Sequence, residues 1–201
     1  MINCTDFLRN DLFYCEHLTI SEKTKREINN SFSIQRDNAR GLEEYIKIRS
    51  FIDEQSGLAR TFLVRDCETN EIACYFTLKA GQVSGNETKT EYGRSFDSIS
   101  GIELSDFAVN HTYSENHPEV EHVGAIVFSS FIYKLALQVS KCIGVYFLYI
   151  FALPEESLIN YYKSLNFIMP PEEDRINIIQ LFTPRYDKNC VFMCQKIVDN
   201  I

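Results

Sequence analysis

A chain of 201 residues suits one domain and leaves room for a sizeable core. Apolar residues make up 45% and charged residues 24%, ordinary proportions for a soluble globular protein. The formal charge is −8, and no basic cluster exceeds Lys23–Lys25–Arg26, a solvated helix face, which argues against a nucleic-acid partner.

The seven cysteines are odd in number and sit mostly in apolar runs, with no secretory leader ahead of them. They read as reduced core residues of a cytoplasmic protein. Cys190 and Cys194 share one face of a strand-like segment, but without a second pair or a nearby histidine they do not make a zinc site.

Residues 1–31 read as a helical extension, with Asp6 as a cap and Phe7, Leu8, Leu12, Phe13 and Tyr14 near helical spacing. Another solvated helix begins near Ser21. The main domain is then expected over 32–201. After Gly41, Leu42, Tyr45, Ile46, Ile48 and Ile52 form a helical stripe that stops at Gly57. From Arg60 the period changes: RTFLVRD, a polar turn and IACYFTLKAG spell a β-hairpin. Residues 81–100, rich in Gly, Ser, Thr, Asn and Glu, predict an exposed loop, either a plain surface excursion or a lid.

The stretch GIELSDFAVN (101–110) alternates, with Glu103, Ser105, Phe107 and Val109 on one face and Leu104, Asp106 and Ala108 on the other. A polar loop, HTYSENHPEVEH, follows; it holds His111, His117 and His122, none at metal-ligand spacing with a partner. Gly124 opens an apolar helix that closes at Gly144. Its polar interruptions, Lys134, Gln138, Ser140 and Lys141, mark it as buried core rather than a membrane span. VYFLYIFAL is a near-continuous apolar strand, 155–166 a short helix that exits at Phe167, and CVFMCQKI a last strand. The order helix, strand, helix from Val123 to Phe167 is the spine of a crossover α/β unit.

A loop that feeds a helix start presents backbone N–H groups and a positive dipole end, an anion site suited to a pyrophosphate. Gly124 stands where a phosphate would approach that backbone, or it serves only as a turn residue.

Taken together, FAVNHTY, VGAIVFSSFI, YFLYIFAL and LINYYKSLNF resemble the GNAT superfamily of N-acetyltransferases over roughly residues 32–197. FAVNHTY is similar to the family's LAVxPxY strand end. VGAIVFSSFI resembles its GxGSxLLxxL helix start, and LINYYKSLNF its AIxLYxKxGF segment with Asn166 at the glycine position. The upstream hairpin is similar to that of the branch with toxin-type enzymes and their housekeeping relatives. This resemblance implies a mixed α/β acyl-CoA N-acyltransferase fold with a mostly antiparallel twisted sheet flanked by helices. It also implies acetyl-CoA as cosubstrate, no metal, and direct transfer to a primary amine.

The same resemblance places Phe107, Ala108 and Val109 along the pantetheine arm and Gly124, Ala125, Ile126 and Val127 at the pyrophosphate. Tyr162 matches the family tyrosine that protonates the leaving thiolate; its other reading is a core aromatic, and Tyr161 is expected to pack inward. Glu103 stands where several members carry a base, or is a plain strand carboxylate. The phosphate signature departs from the family, with Glu119 at its Gln/Arg start and His122 as the first of its two glycines. The expected acceptor is an amine, on a small molecule foremost or on an aminoacyl group. Nucleic acid is not expected, tRNA being a minor alternative; nor is a membrane, and a homodimer is compatible. A CoA- or partner-binding protein without turnover is the alternative function.

Overall fold

A computed structural model describes residues 8–90, 93–171 and 189–197, leaving out the side chains of 84–90 and 93–98. The expected N-terminal helix is instead a strand, β1 (Phe13–His17), paired antiparallel with β2 (Arg60–Asp66) from Phe13↔Asp66 to His17↔Phe62. Phe13 and Cys15 are buried while Tyr14 and Glu16 are half-buried, a period of two that overrode the loose helical spacing. Asp6 and Phe7 lie outside the described residues.

Helix α1 (Glu22–Ser31) starts as expected: Ser21 Oγ accepts the N–H of Thr24 at 3.1 Å. Helix α2 covers 40–56 as Arg40–Glu44, a π stretch Tyr45–Arg49, and Ser50–Ser56. It ends on Gly57 at φ +71°, where Gly57 N–H donates to Glu54 O and Leu58 N–H to Asp53 O, the pair of bonds of a Schellman motif.

Strand β2 turns into β3 (Ile72–Thr90) through an Asp66 turn whose Oδ1 accepts from Glu68 and Thr69 N–H; Asn70 takes φ +64°. Strand β4 (Gly93–Val109) returns. The exposed loop expected over 81–100 is thus mostly strand, β3 reaching Thr90 and β4 starting at Gly93. The segment is punctuated by Val, Thr, Tyr and Phe, which suit extended backbone more than its glycines and serines suggest. The loop expected after β4 contains a helical turn, α3 (His111–Asn116), capped by Asn110.

Helix α4 (Val123–Cys142) passes through a π stretch at Phe128–Ile132. It is long and apolar enough to cross a membrane by length and composition, yet Val127, Phe131, Ile132 and Ala136 are fully buried inside the protein. The chain closes with β5 (Phe147–Ala152), α5 (Glu156–Ser164) and β6 (Val191–Lys196). The six strands follow the order β1-β2-β3-β4-β5-β6, with β4–β5 parallel and the remaining recorded pairings antiparallel.

Two compact units divide the chain: Met1–Lys79 with Ser105–Leu135, and Ala80–Leu104 with Ala136–Ile201. The first is cored by Ile28, Phe32, Ile46, Leu63 and Tyr75, with Ala108 of β4 among them. The second is cored by Val83, Phe147, Tyr149 and Phe192.

Within the first unit Asn110 joins three elements. Its side-chain nitrogen donates to Ser31 O (2.8 Å) and Ile72 O (2.7 Å), and its oxygen accepts from Ser33 N–H (3.1 Å) and Thr112 N–H (3.2 Å). The residue is 2% exposed, so each group it serves would otherwise be stranded away from water. Asn110→Ala should therefore lower unfolding free energy by on the order of 3 kcal/mol, since each buried unsatisfied group costs about 1–3 kcal/mol. Urea denaturation checks this: the midpoint should fall at unchanged slope.

Candidate active site

The residues singled out in the sequence fall into two groups, one in each unit. In the first unit Phe107, Ala108 and Val109 end β4. Ala108 is buried and the two neighbours are half-buried, so the alternation expected for this strand holds. The register of β4 with β5 runs from Gly101↔Phe147 to Glu103↔Tyr149 only, while β4 continues to Val109. Asn110 then turns the chain into α3, so the last residues of β4 are anchored from both ends.

Gly124, Ala125, Ile126 and Val127 form the first turn of α4; the first three are half-buried and Val127 is fully buried. No side chain caps this helix start, which leaves first-turn N–H groups to face outward with the positive end of the helix dipole. His122, at the place of the first glycine in the family pattern, takes φ +57°. A residue that bears a Cβ thus takes the left-handed backbone that a glycine adopts most readily.

Glu119, where the pattern has Gln or Arg, is engaged by His117: its Oε1 lies 3.4 Å from Nδ1. The other ring nitrogen of His117 bonds to Glu71, and its ring stacks on Tyr113 at 4.5 Å between centroids. The bond to Glu71 raises the His117 pKa above its ordinary value, against a smaller opposing effect of burial. Tyr113, buried, donates to Asp66 Oδ2 at 2.6 Å. Burial pushes the Asp66 carboxyl up, but this bond and the N–H groups of Thr69 and Glu68 together hold it below its usual pKa.

In the second unit Tyr162 lies in the last turn of α5 and is 8% exposed. It is the more buried of the two tyrosines; Tyr161, expected to pack inward, is half-buried and meets it edge-on at 5.3 Å. The helix ends in the same motif as α2: Phe167 N–H donates to Tyr162 O (3.1 Å) and Asn166 N–H to Lys163 O (3.0 Å). Asn166 takes φ +68° at the family's glycine position, and the Phe167 ring packs against Tyr162 at 5.5 Å. The backbone and ring of Tyr162 are thereby fixed.

Glu103 is half-buried on β4, and the hydroxyl of Tyr149 on β5 lies 3.4 Å from its Oε2. Burial raises the Tyr149 pKa and the Glu103 carboxylate raises it further, so the phenol keeps its proton.

Sequence reasoning missed Asn110, Tyr113 and Tyr149. An Asn directly before a polar segment is a legible cap signal. Tyr149 had none, being one aromatic in an unbroken apolar strand.

No family model matches the sequence, and no curated protein does. Solved structures do. A tyrosine-to-phenylalanine variant of the AtaT toxin matches with TM-score 0.63 and 14% identity over 94% of this chain and 91% of its own. Such a variant of KacT matches with TM-score 0.63 and 14% identity over 93% and 96%. AtaT complexed with acetyl-methionyl-tRNAfMet gives 0.60 and 16% over 90% and 93%. The chain has the GNAT acyltransferase-like fold of these toxins, as the sequence pieces implied.

The expectation of a small-molecule acceptor foremost, with nucleic acid not expected and tRNA only a minor alternative, does not stand. The structures of this fold include AtaT with an acetylated aminoacyl-tRNA, with the C-terminus of the antitoxin AtaR, and as an AtaT–AtaR complex on DNA. Net charge misled because it is a sum: Asp53 and Glu54 are buried, while Lys23, Lys25, Arg26 and Arg49 are exposed.

Two outcomes are expected from these geometries. Asn166→Val should cost about 1–2 kcal/mol, the penalty of left-handed backbone for a residue with a branched Cβ, while Asn166→Gly should cost nothing; chemical denaturation separates them. The raised His117 pKa adds stability that is full below its unfolded value near ~6.5 and is lost as pH rises through the folded value. A melting-temperature series from pH 5 to 9 should show that fall, and His117→Gln should flatten it.

Proposed function

We propose that the protein is an acetyl-CoA-dependent N-acetyltransferase whose acceptor is the α-amine of an aminoacyl group carried on tRNA. The observation that carries this reading is local. β4 ends at Val109, and at two places where the resembled pattern has glycines the backbone is left-handed: His122 at the entry to α4 and Asn166 at the exit behind Tyr162, which supports the reading. Solved proteins of the same fold support it, including an AtaT complex with acetyl-CoA and one with acetyl-methionyl-tRNAfMet.

In this reading the pantetheine arm lies along Phe107, Ala108 and Val109, and the pyrophosphate sits at the helix start formed by Gly124, Ala125, Ile126 and Val127. Glu103 removes a proton from the acceptor ammonium. The freed nitrogen attacks the thioester carbonyl, the C–S bond breaks, Tyr162 gives its hydroxyl proton to the departing thiolate, and the surplus proton on the acylated nitrogen restores the Tyr162 phenol. A phenol with an ordinary pKa near ~10 is matched to that leaving group.

A second reading, a CoA- or partner-binding protein without turnover, is favoured by Glu119 and Glu121 beside the helix start, where carboxylates disfavour a pyrophosphate. The contact of Glu119 with His117 eases that objection.

Acetyl-CoA should raise the melting temperature, because a ligand that binds the native state stabilises it; no shift at millimolar concentration ends the enzyme reading. Tyr162→Phe should reduce the rate of CoA release with aminoacyl-tRNA by about 10²-fold or more, the range of one lost acid–base group, and leave the acetyl-CoA shift in place. Loss of the shift would remove Tyr162 from the role of acid.

A further inference from the structure

Tyr149 transfers no proton in the acyl-transfer reaction, yet three observations in the second unit single it out. Its side chain is 5% exposed, packed on Phe147 (5.5 Å), Phe192 (5.7 Å) and Phe151 (6.0 Å), so the ring has little freedom. Its hydroxyl is the only polar atom of that side chain and lies 3.4 Å from Glu103 Oε2, the two residues being the last register pair of β4 and β5. Finally, Gly81 on β3 makes room for it: a Cβ there would stand 1.9 Å from Tyr149 Oη and 2.6 Å from Cζ. Those distances are far inside contact, so any side chain at 81 must drive the ring away.

A buried phenol needs a partner for its O–H, and a half-buried carboxylate gains from a donor. We infer that Tyr149 is a positioning residue, seated by Gly81, that holds the Glu103 carboxylate in one rotamer and so presents it to the acceptor ammonium. The inference rests on the acyl-transfer reading for its catalytic consequence, but not for the contact itself. The role is positional because the Tyr149 proton is never transferred.

The test is a double-mutant cycle with a spectroscopic arm. Tyr149→Phe and Gly81→Ala should each lower kcat about 10-fold with the KM for acetyl-CoA unchanged, and the acetyl-CoA melting shift should persist in both. In a Glu103→Gln background Tyr149→Phe should cost nothing further; equal loss with and without Glu103 overturns the inference, because Tyr149 would then act by another route. Independently of turnover, the Tyr149 Cζ resonance should move in Glu103→Gln, and the phenol should ionise at lower pH once the neighbouring charge is gone. An unmoved resonance overturns the contact and the proposal with it. Wild-type protein that releases no CoA while the Tyr149 resonance does respond sinks the acyl-transfer reading and leaves the pair supported.

Discussion

Asn110 is the constraint on which the end of β4 depends. Strand β4 must stop after Val109, and the chain must leave toward α3 and then α4. Stopping a strand in the interior strands backbone groups, and a buried one costs as much as a lost hydrogen bond. Asn110 meets this by taking the carbonyls of Ser31 and Ile72 and the N–H groups of Ser33 and Thr112 at once, while its own N–H pairs with Ala73 O. One amide side chain thus fixes the C-terminal end of α1, the start of β3 and the end of β4. Aspartate could accept the two N–H bonds but not donate the other two, so the position requires the amide.

The same logic of backbone satisfaction explains what the sequence disclosed. The helix–strand–helix spine was legible because its signals are long: an apolar helix to Cys142, an unbroken apolar strand, and an amphipathic helix. β1 was not, because five residues beside a polar stretch carry too little periodicity to compete with a helical spacing. The arms of β3 and β4 beyond Gly81 were hidden by their Gly, Ser and Asn content, which a hairpin accepts when its partner strand supplies the hydrogen bonds. Glu103 and Ala108 could be placed on faces from alternation, but the tyrosine pair could not: Tyr161 was expected inward and Tyr162 is the more buried. Nor could Tyr149, because its significance lies in what Gly81 on another strand leaves empty.

Of the three departures from the pattern that the sequence resembles, His122 and Asn166 change the residue and keep a left-handed backbone. A glycine at a helix entry or exit is there for its φ, and His122 and Asn166 reach the same region. Asparagine does so at modest cost because its side chain can bond locally. His122, with an exposed ring, bears only the steric cost and brings a titratable group beside the helix start. Asn166 is backed by two main-chain bonds and by the Phe167–Tyr162 ring contact, so the turn is held from several sides.

That division between side-chain identity and backbone geometry accounts for a fold shared at 14% identity when no family model matches. The pattern that the sequence resembles has a Gln or Arg and glycines where this chain has Glu119, His122 and Asn166. What the structure has at these places is a helix start without a side-chain cap, a strand end at Val109 and a tyrosine whose carbonyl closes a Schellman turn. All three are main-chain features, each held by residues free to vary so long as the hydrogen bonds and the sign of φ are kept. The sequence can therefore drift far while the site's frame does not, and what drift does alter is charge. Glu119 and Glu121 put negative charge beside the start of α4, and the imidazole of His117 lies 3.4 Å from Glu119.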